Sequence, residues 1–310
     1  MSKGAVKDIA KSIRSRLLAY AKLNNENFNA VLIQYVLQRL LYRLSISEYA
    51  ERFLLKGAWL FVVWNNALHR PTKDADLLGF GSNDENELLQ VFKSIAQVLV
   101  DQPDGLIFFL DSFKSVHITE EGNYQGVRVT GLAQLDSANI SFQVDIGFGD
   151  AVTPAALQAS LPCLLDLPEP QLRVYPVYTV IAEKFQAMIF LGLVNSRMKD
   201  FFDIYTIALS MPIKGRELQA AIAATFDRRE TAINEIPLRL FSDEFKHDVN
   251  KAKQWQGFIN KNNIDCDFSF ADVIERLHAF LQPNYDAIIN KNNKTISWDA
   301  KTWQWMEADV

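Results

Sequence analysis

Five prolines, Pro154, Pro162, Pro168, Pro170 and Pro176, divide this chain into two stretches of different periodicity. Proline fixes φ and removes a backbone donor, so a stretch this rich in it continues neither a helix nor a central strand. Upstream, Gly105–Leu110, Ser115–Thr119 and Val127–Leu132 are rich in β-branched and aromatic residues, as strands are. In Ile140–Phe148, the residues Ile140, Phe142, Val144, Ile146 and Phe148 alternate with Ser141, Gln143, Asp145 and Gly147. That period of two gives an apolar face and a polar face, with Asp145 on the polar one. Downstream the spacing predicts helices over Val177–Leu193, Met198–Ser210, Arg216–Phe226, Asp243–Asn260 and Ala271–Leu281. The expectation is an α/β (α+β) chain: a mixed-sheet lobe over 1–175 and a helical lobe over 176–310, with the boundary near Tyr175.

Helical spacing also marks Asp8–Leu18 and Phe28–Leu44, the second with an apolar stripe of Val31, Leu32, Tyr35, Val36, Leu40 and Leu41. Phe53–Phe61 reads as a loop and helix. Glu85–Val100 reads as a helix with Ser82 and Asp84 as candidate caps. Glu121-Gly122-Asn123 is a hairpin signal, and Trp298, Trp303 and Trp305 are expected to dock a polar tail onto the body.

Composition excludes several classes. The net charge of −5 provides no global basic field for nucleic acid or an acidic membrane, so any such surface is local. Two cysteines, Cys163 and Cys266, are too few for a disulfide framework or a thiolate zinc site and suit a reducing cytoplasm. The N-terminus lacks the apolar core of a signal peptide, and apolar stretches such as Leu88–Val100 are too short to span a bilayer. The expectation is a cytoplasmic protein with no membrane partner.

Against that background, Arg70-Pro-Thr-Lys-Asp-Ala-Asp-Leu-Leu-Gly-Phe stands out. In an extended strand Asp74 and Asp76 point to the same face, where two carboxylates repel each other unless a divalent cation lies between them. Arg70, Thr72 and Lys73 add donors and positive charge suited to a phosphate. With Asp145 from a neighbouring strand, the set suits one or two Mg²⁺ ions on a triphosphate; a turn aspartate and a helix cap account for the pair equally well.

A second set is Glu183-Lys184 with Arg197, Lys199, Asp200 and Asp203. Lys184 lies on an apolar helical line with Val180, Ala187 and Leu191, so its ammonium either snorkels to solvent or enters a polar cavity. Arg197 and Lys199 flank a helix start, where anions are favoured. Lys199 and Asp203, at i and i+4, also fit a surface ion pair, and Asp200 fits an orienting role toward Arg197 or Lys199. Gly57, after Lys56, allows backbone amides to approach a phosphate, though tight packing explains it equally well. Arg228 and Arg229 read as solvent-facing partners of a helix C-terminus or as a phosphate grip. Trp255, Phe258, Phe241 and Phe245 read as core, and His69 is a weak candidate for a nucleotide contact.

The order Lys56-Gly57-Ala58, Arg70-x-Thr72-x-Asp74-x-Asp76, Asp145, Glu183-Lys184, Arg197-x-Lys199-Asp200-x-x-Asp203 resembles the AbiEii/AbiGii-type nucleotidyltransferase toxins over roughly residues 10–260. These include the MenT toxins and belong to the DNA polymerase β-like nucleotidyltransferase superfamily. The resemblance implies a bilobed nucleotidyltransferase fold with the triphosphate in the cleft between lobes. It implies transfer of a nucleotide from an NTP to an acceptor, which in the MenT branch is a pyrimidine (from CTP or UTP) to the tRNA 3′ end, blocking aminoacylation. It implies a cognate antitoxin, often a winged-helix regulator, and a place in phage defence.

Carried over by position, Asp74, Asp76, Lys184 and Asp200 are catalytic, with Mg²⁺ held by Asp74 and Asp76 and completed by Asp145. Lys56, Gly57, Arg70, Thr72, Lys73, Arg197 and Lys199 bind the nucleotide. One departure stands out: Gly57-Ala58 replaces the Gly-Ser or Gly-Gly of the superfamily, removing a hydroxyl donor. The alternatives are a protein or small-molecule acceptor, such as an aminoglycoside, and a degenerate, non-enzymatic nucleotide-binding protein.

Overall fold

Short polar side chains decide where several of the helices begin. Asn27 caps the N-terminus of one by accepting from the Ala30 amide, Asp84 caps another through Glu87, and Ser269 forms a reciprocal capping box with Asp272. The computed structural model describes residues 3–65, 70, 72–120, 124–234, 238–292 and 295–307. The chain divides into two compact units, Met1–Gly149 with Leu157–Tyr175, and Asp150–Ala156 with Pro176–Val310.

The first unit contains α1 (Lys3–Leu23), α2 (Phe28–Ser45), β1 (Phe53–Lys56), α3 (Trp59–Asn65), β2 (Ala75–Gly79), α4 (Glu85–Gln97), β3 (Leu106–Glu120), β4 (Tyr124–Leu135), β5 (Ala138–Phe148), β6 (Leu157–Ser160) and β7 (Gln171–Val174). The strands form one mixed sheet in the order β3-β4-β5-β2-β1-β7-β6, with β2 parallel to β5, β1 parallel to β7, and the other pairs antiparallel. The alternation expected in β5 holds over its first half, where Ile140, Phe142 and Val144 are buried and Ser141 and Gln143 are more open; from Val144 to Gly147 every residue is buried and Phe148 is half-buried, and α2 packs against this strand. A buried ionic pin joins α2 to the segment before β3. Arg43 donates to both oxygens of Asp104, Arg39 Nε donates to it at 3.3 Å, and the Tyr35 hydroxyl donates to its carbonyl.

The second unit contains α5 (Val177–Leu191), α6 (Met198–Ser210), β8 (Ile213–Lys214), α7 (Gly215–Arg228), α8 (Asp243–Lys246), α9 (Val249–Asn262), α10 (Phe270–Ile289), β9 (Ile296–Asp299) and β10 (Gln304–Glu307). Aromatic edges fill its interior, among them Phe185, Phe226 and Tyr285, and separately Phe201, Phe245 and Phe270. The tail docks as expected: Trp298 is buried and its indole donates to the Ala208 carbonyl.

Several boundaries differ from the sequence reading, each for a physical reason. Phe53–Lys56 is a strand rather than a loop; all four residues are buried, so no alternation betrays it. The two runs expected at 105–119 are one strand, interrupted by an irregularity between Phe109 and Lys114. The proline-rich connector is less irregular than expected, because it carries β6 and β7 on an edge of the sheet. The helix expected over Asp243–Asn260 breaks before Asp248, whose side chain caps α9. The tail is not only docked but paired, with β9 between β8 and β10. The hairpin signal at Glu121-Gly122-Asn123 lies outside the described residues, and the flanking strands pair from Glu120 to Tyr124.

Candidate active site

Register places four charged residues of the first unit in one row. Lys56 of β1 lies opposite Asp76 of β2, Asp76 beside Asp145 of β5, and Asp145 opposite Arg128 of β4. Residues paired in register share a face of the sheet, so the row reads plus, minus, minus, plus. Asp74 immediately precedes β2, and one oxygen from each of Asp74, Asp76 and Asp145 lies within 4.8 Å of the others. Lys56 and Arg128 flank the group as counter-charges, and three hard oxygen donors at this separation are what Mg²⁺ takes. The residues present therefore fit a divalent ion.

The surroundings hold this group in place. Thr72 donates to Asp74 Oδ1 at 2.7 Å, and the Trp59 indole donates to the Asp74 carbonyl at 2.7 Å. Gly57 has φ +74°, and a Cβ built there would stand 2.0 Å from Asp76 Oδ2. Glycine is thus required by both its backbone conformation and the close approach of the carboxylate. Lys56 is buried, Lys73 is exposed, and Arg70 is half-buried. Ala58, where the superfamily pattern has serine or glycine, is buried as well. His69 lies outside the described residues.

In the second unit, Lys184 does not snorkel to solvent. Its ammonium bonds Asp200 Oδ1 at 2.8 Å and Asp203 Oδ2 at 2.7 Å, and both aspartates are buried. Arg197 Nε closes on the other oxygen of Asp200 at 2.5 Å. Burial raises the Asp200 pKa, yet the positive charges of Lys184 and Arg197 outweigh it and hold the carboxyl below its ordinary range. Lys199 is exposed, and Asp203, considered above as its surface partner, is turned inward to Lys184. Asp200 is fully buried, with Lys184 and Arg197 at its carboxylate.

Arg229 corrects another expectation. It is not a solvent-facing helix end but a largely buried side chain that donates to Asp150 Oδ1 and Gln186 Oε1, with Glu183 at 3.6 Å. Arg228 remains exposed. Trp255 and Phe245 are core, as expected. One stretch among the described residues, Val177–Val194, is long and apolar enough to cross a membrane by length and composition, which the reading of Leu88–Val100 overlooked. Here it is α5 and the turn after it, packed on α6 and α7 and carrying the ion-paired Lys184.

The residue that sequence reasoning missed is Arg128. Its Nε and Nη2 donate to the two oxygens of Asp145, each at 2.8 Å, and Gln143 Nε2 lies 3.1 Å from both. The Arg128 pKa is raised, first by the bond to Asp145 and then, against desolvation, by the charges of Asp145, Asp74 and Asp76. A signal existed: Val127-Arg128-Val129 alternates, and counting back from the Asp136-Ser137 turn puts Arg128 opposite Asp145.

Comparison with known proteins gives a family match. The family model of the nucleotidyl transferase AbiEii toxin, type IV toxin–antitoxin system, matches residues 39–280. No curated protein matches the chain. Two solved structures resemble it at 14% identity. A "putative nucleotidyltransferase from H. pylori" has a TM-score of 0.47, with 84% of this chain and 96% of that one covered. JHP933 from Helicobacter pylori has a TM-score of 0.45, with 84% and 93% covered.

Proposed function

We infer the reaction from a premise of kinship: the chain belongs to the AbiEii nucleotidyltransferase toxins of type IV toxin–antitoxin systems. We propose that it transfers a nucleotide from an NTP, CTP or UTP foremost, to an RNA acceptor, the tRNA 3′ end foremost, and thereby blocks translation. The observation that carries this reading is the convergence of Asp74, Asp76 and Asp145 oxygens within 4.8 Å.

In this reading Asp74 and Asp76 hold Mg²⁺, and Asp145 brings the third negative charge. When bound, the ion supplies charge neutralisation on the triphosphate and acidifies the acceptor hydroxyl. The acceptor oxygen attacks the α-phosphorus in line; the new O–P bond forms as the bond to the β-phosphate bridge breaks, and pyrophosphate leaves. The acceptor proton passes to an oxygen of Asp76 or to solvent. Thr72 fixes the Asp74 carboxylate through its hydroxyl. The phosphate contacts proposed in the first unit are the side chains of Arg70 and Lys73, with Lys56 and Gly57 bordering Asp76; for the second unit, the family resemblance proposes the Lys184 ammonium and the side chains of Arg197 and Lys199. Asp200 and Asp203 position Lys184. A cognate antitoxin follows from the family; a winged-helix regulator as that antitoxin, action in phage defence and a cytoplasmic location belong to the same proposal.

The test is incubation with each radiolabelled NTP and total tRNA. Label on tRNA from the wild type and none from Asp74→Ala supports the proposal. Equal behaviour of the two proteins, or label on no RNA with any triphosphate, overturns it. Label on protein or on an aminoglycoside identifies the other acceptor classes, and Mg²⁺-dependent NTP binding without turnover identifies a nucleotide-binding protein.

A further inference from the structure

The acidic group already contains a cation of its own. Arg128 takes Asp145 side-on, through Nε and Nη2, with two parallel bonds of 2.8 Å, and Gln143 adds contacts of 3.1 Å to both oxygens. An ionised carboxylate offers about four acceptor positions, so these donors occupy most or all of what Asp145 has. Bidentate guanidinium–carboxylate pairing is also the strongest geometry available to such a pair. All three carboxylates of the group are partly enclosed. Asp145 thus meets a guanidinium within the acidic group itself.

We propose that Arg128 is a resident counter-ion of the acidic group, which engages Asp145, leaves Asp74 and Asp76 as the carboxylates that take a divalent cation, and weakens binding of that cation. The inference rests on the reading of this group as a metal centre. The physical reason is charge. A guanidinium on the third carboxylate repels an incoming dication while cancelling the attraction of Asp145. The site then binds free metal weakly, and a polyanionic triphosphate restores the missing negative charge, so metal and nucleotide favour each other's binding.

The experiment is titration of the whole protein with Mn²⁺, without nucleotide, followed by electron paramagnetic resonance of the free ion. Circular dichroism melts accompany it to show that each variant is folded. Arg128→Gln is expected to bind Mn²⁺ about tenfold more tightly than the wild type, as removal of one nearby positive charge requires. The double variant Arg128→Gln/Asp145→Asn leaves the charge of the group as it was and is expected to bind within a few-fold of the wild type. Binding by Arg128→Gln that is unchanged or weaker overturns the proposal. So does a large loss in the double variant, since Asp145 is then itself a ligand. Asp74→Asn separates the two levels: if it binds Mn²⁺ as the wild type does, the metal-centre reading fails, whatever Arg128 does.

Discussion

Gly57 shows how narrowly single residues are constrained around the acidic group. With φ +74° and Asp76 Oδ2 at 2.0 Å from any added Cβ, Gly57→Ala meets both backbone strain and a clash. The backbone component alone costs about 1–2 kcal/mol. The expected outcome is a lower midpoint in urea and weakened Mn²⁺ binding by the folded fraction. Lys184 is constrained by charge instead. Lys184→Met leaves Asp200 and Asp203 buried without their shared ammonium, which costs about 3–5 kcal/mol by equilibrium unfolding. Because the Asp200 pKa lies below its ordinary 3.8 in the folded chain, its ionisation stabilises the fold fully above that value. That contribution is lost as the pH falls below 3.8 and through the folded-state value. Unfolding free energy measured against pH should therefore drop across this range, and the drop should be smaller in Lys184→Met. Lys184 was legible as an anomaly in an apolar stripe; its partners were legible only as candidates for other roles, because a buried carboxylate and an exposed one are spelled identically in the sequence.

At the scale of elements, register decides the site. A slip of one residue between β2 and β5 would turn Asp145 to the opposite face, away from Asp76. The alternation in β5 made the face of Asp145 readable, whereas the pairing with Arg128 needed the β4–β5 hairpin to be aligned. β1 was unreadable for the opposite reason: a short, wholly buried strand has no period to detect. The pin between α2 and the segment before β3 is a second case, since Asp104 meets Arg39 and Arg43 from more than sixty positions away. Asp104→Ala strands two buried guanidinium groups, and a loss of about 3–5 kcal/mol is expected. The urea midpoint should fall with an unchanged slope, the mark of a stability change within a two-state transition.

At the scale of the whole molecule, the chain leaves the first unit at Asp150, contributes seven residues to the second, and returns at Leu157. Among the interactions that hold that segment in the second unit, Thr153 exchanges backbone bonds with the Thr179 hydroxyl, and Asp150 bonds Arg229. Asp150→Ala removes one partner of Arg229 while Glu183 remains at 3.6 Å, so a loss of about 1–3 kcal/mol is expected. Hydrogen exchange locates it: amides of α5 and α7 should lose protection while those of β2 and β5 do not. If β2 and β5 lose protection equally, the segment does not belong to the second unit alone. By itself the sequence determined the class of the fold, the helical character of the second half and the residue types of the site, because periodicity and composition are local properties. Only the tertiary structure decided which charges meet. Asp76, Asp145 and Arg128 are neighbours through strand register, and Lys184, Asp200 and Asp203 through helix packing. Coulomb energy depends on distances in space, which spacing along the chain does not encode.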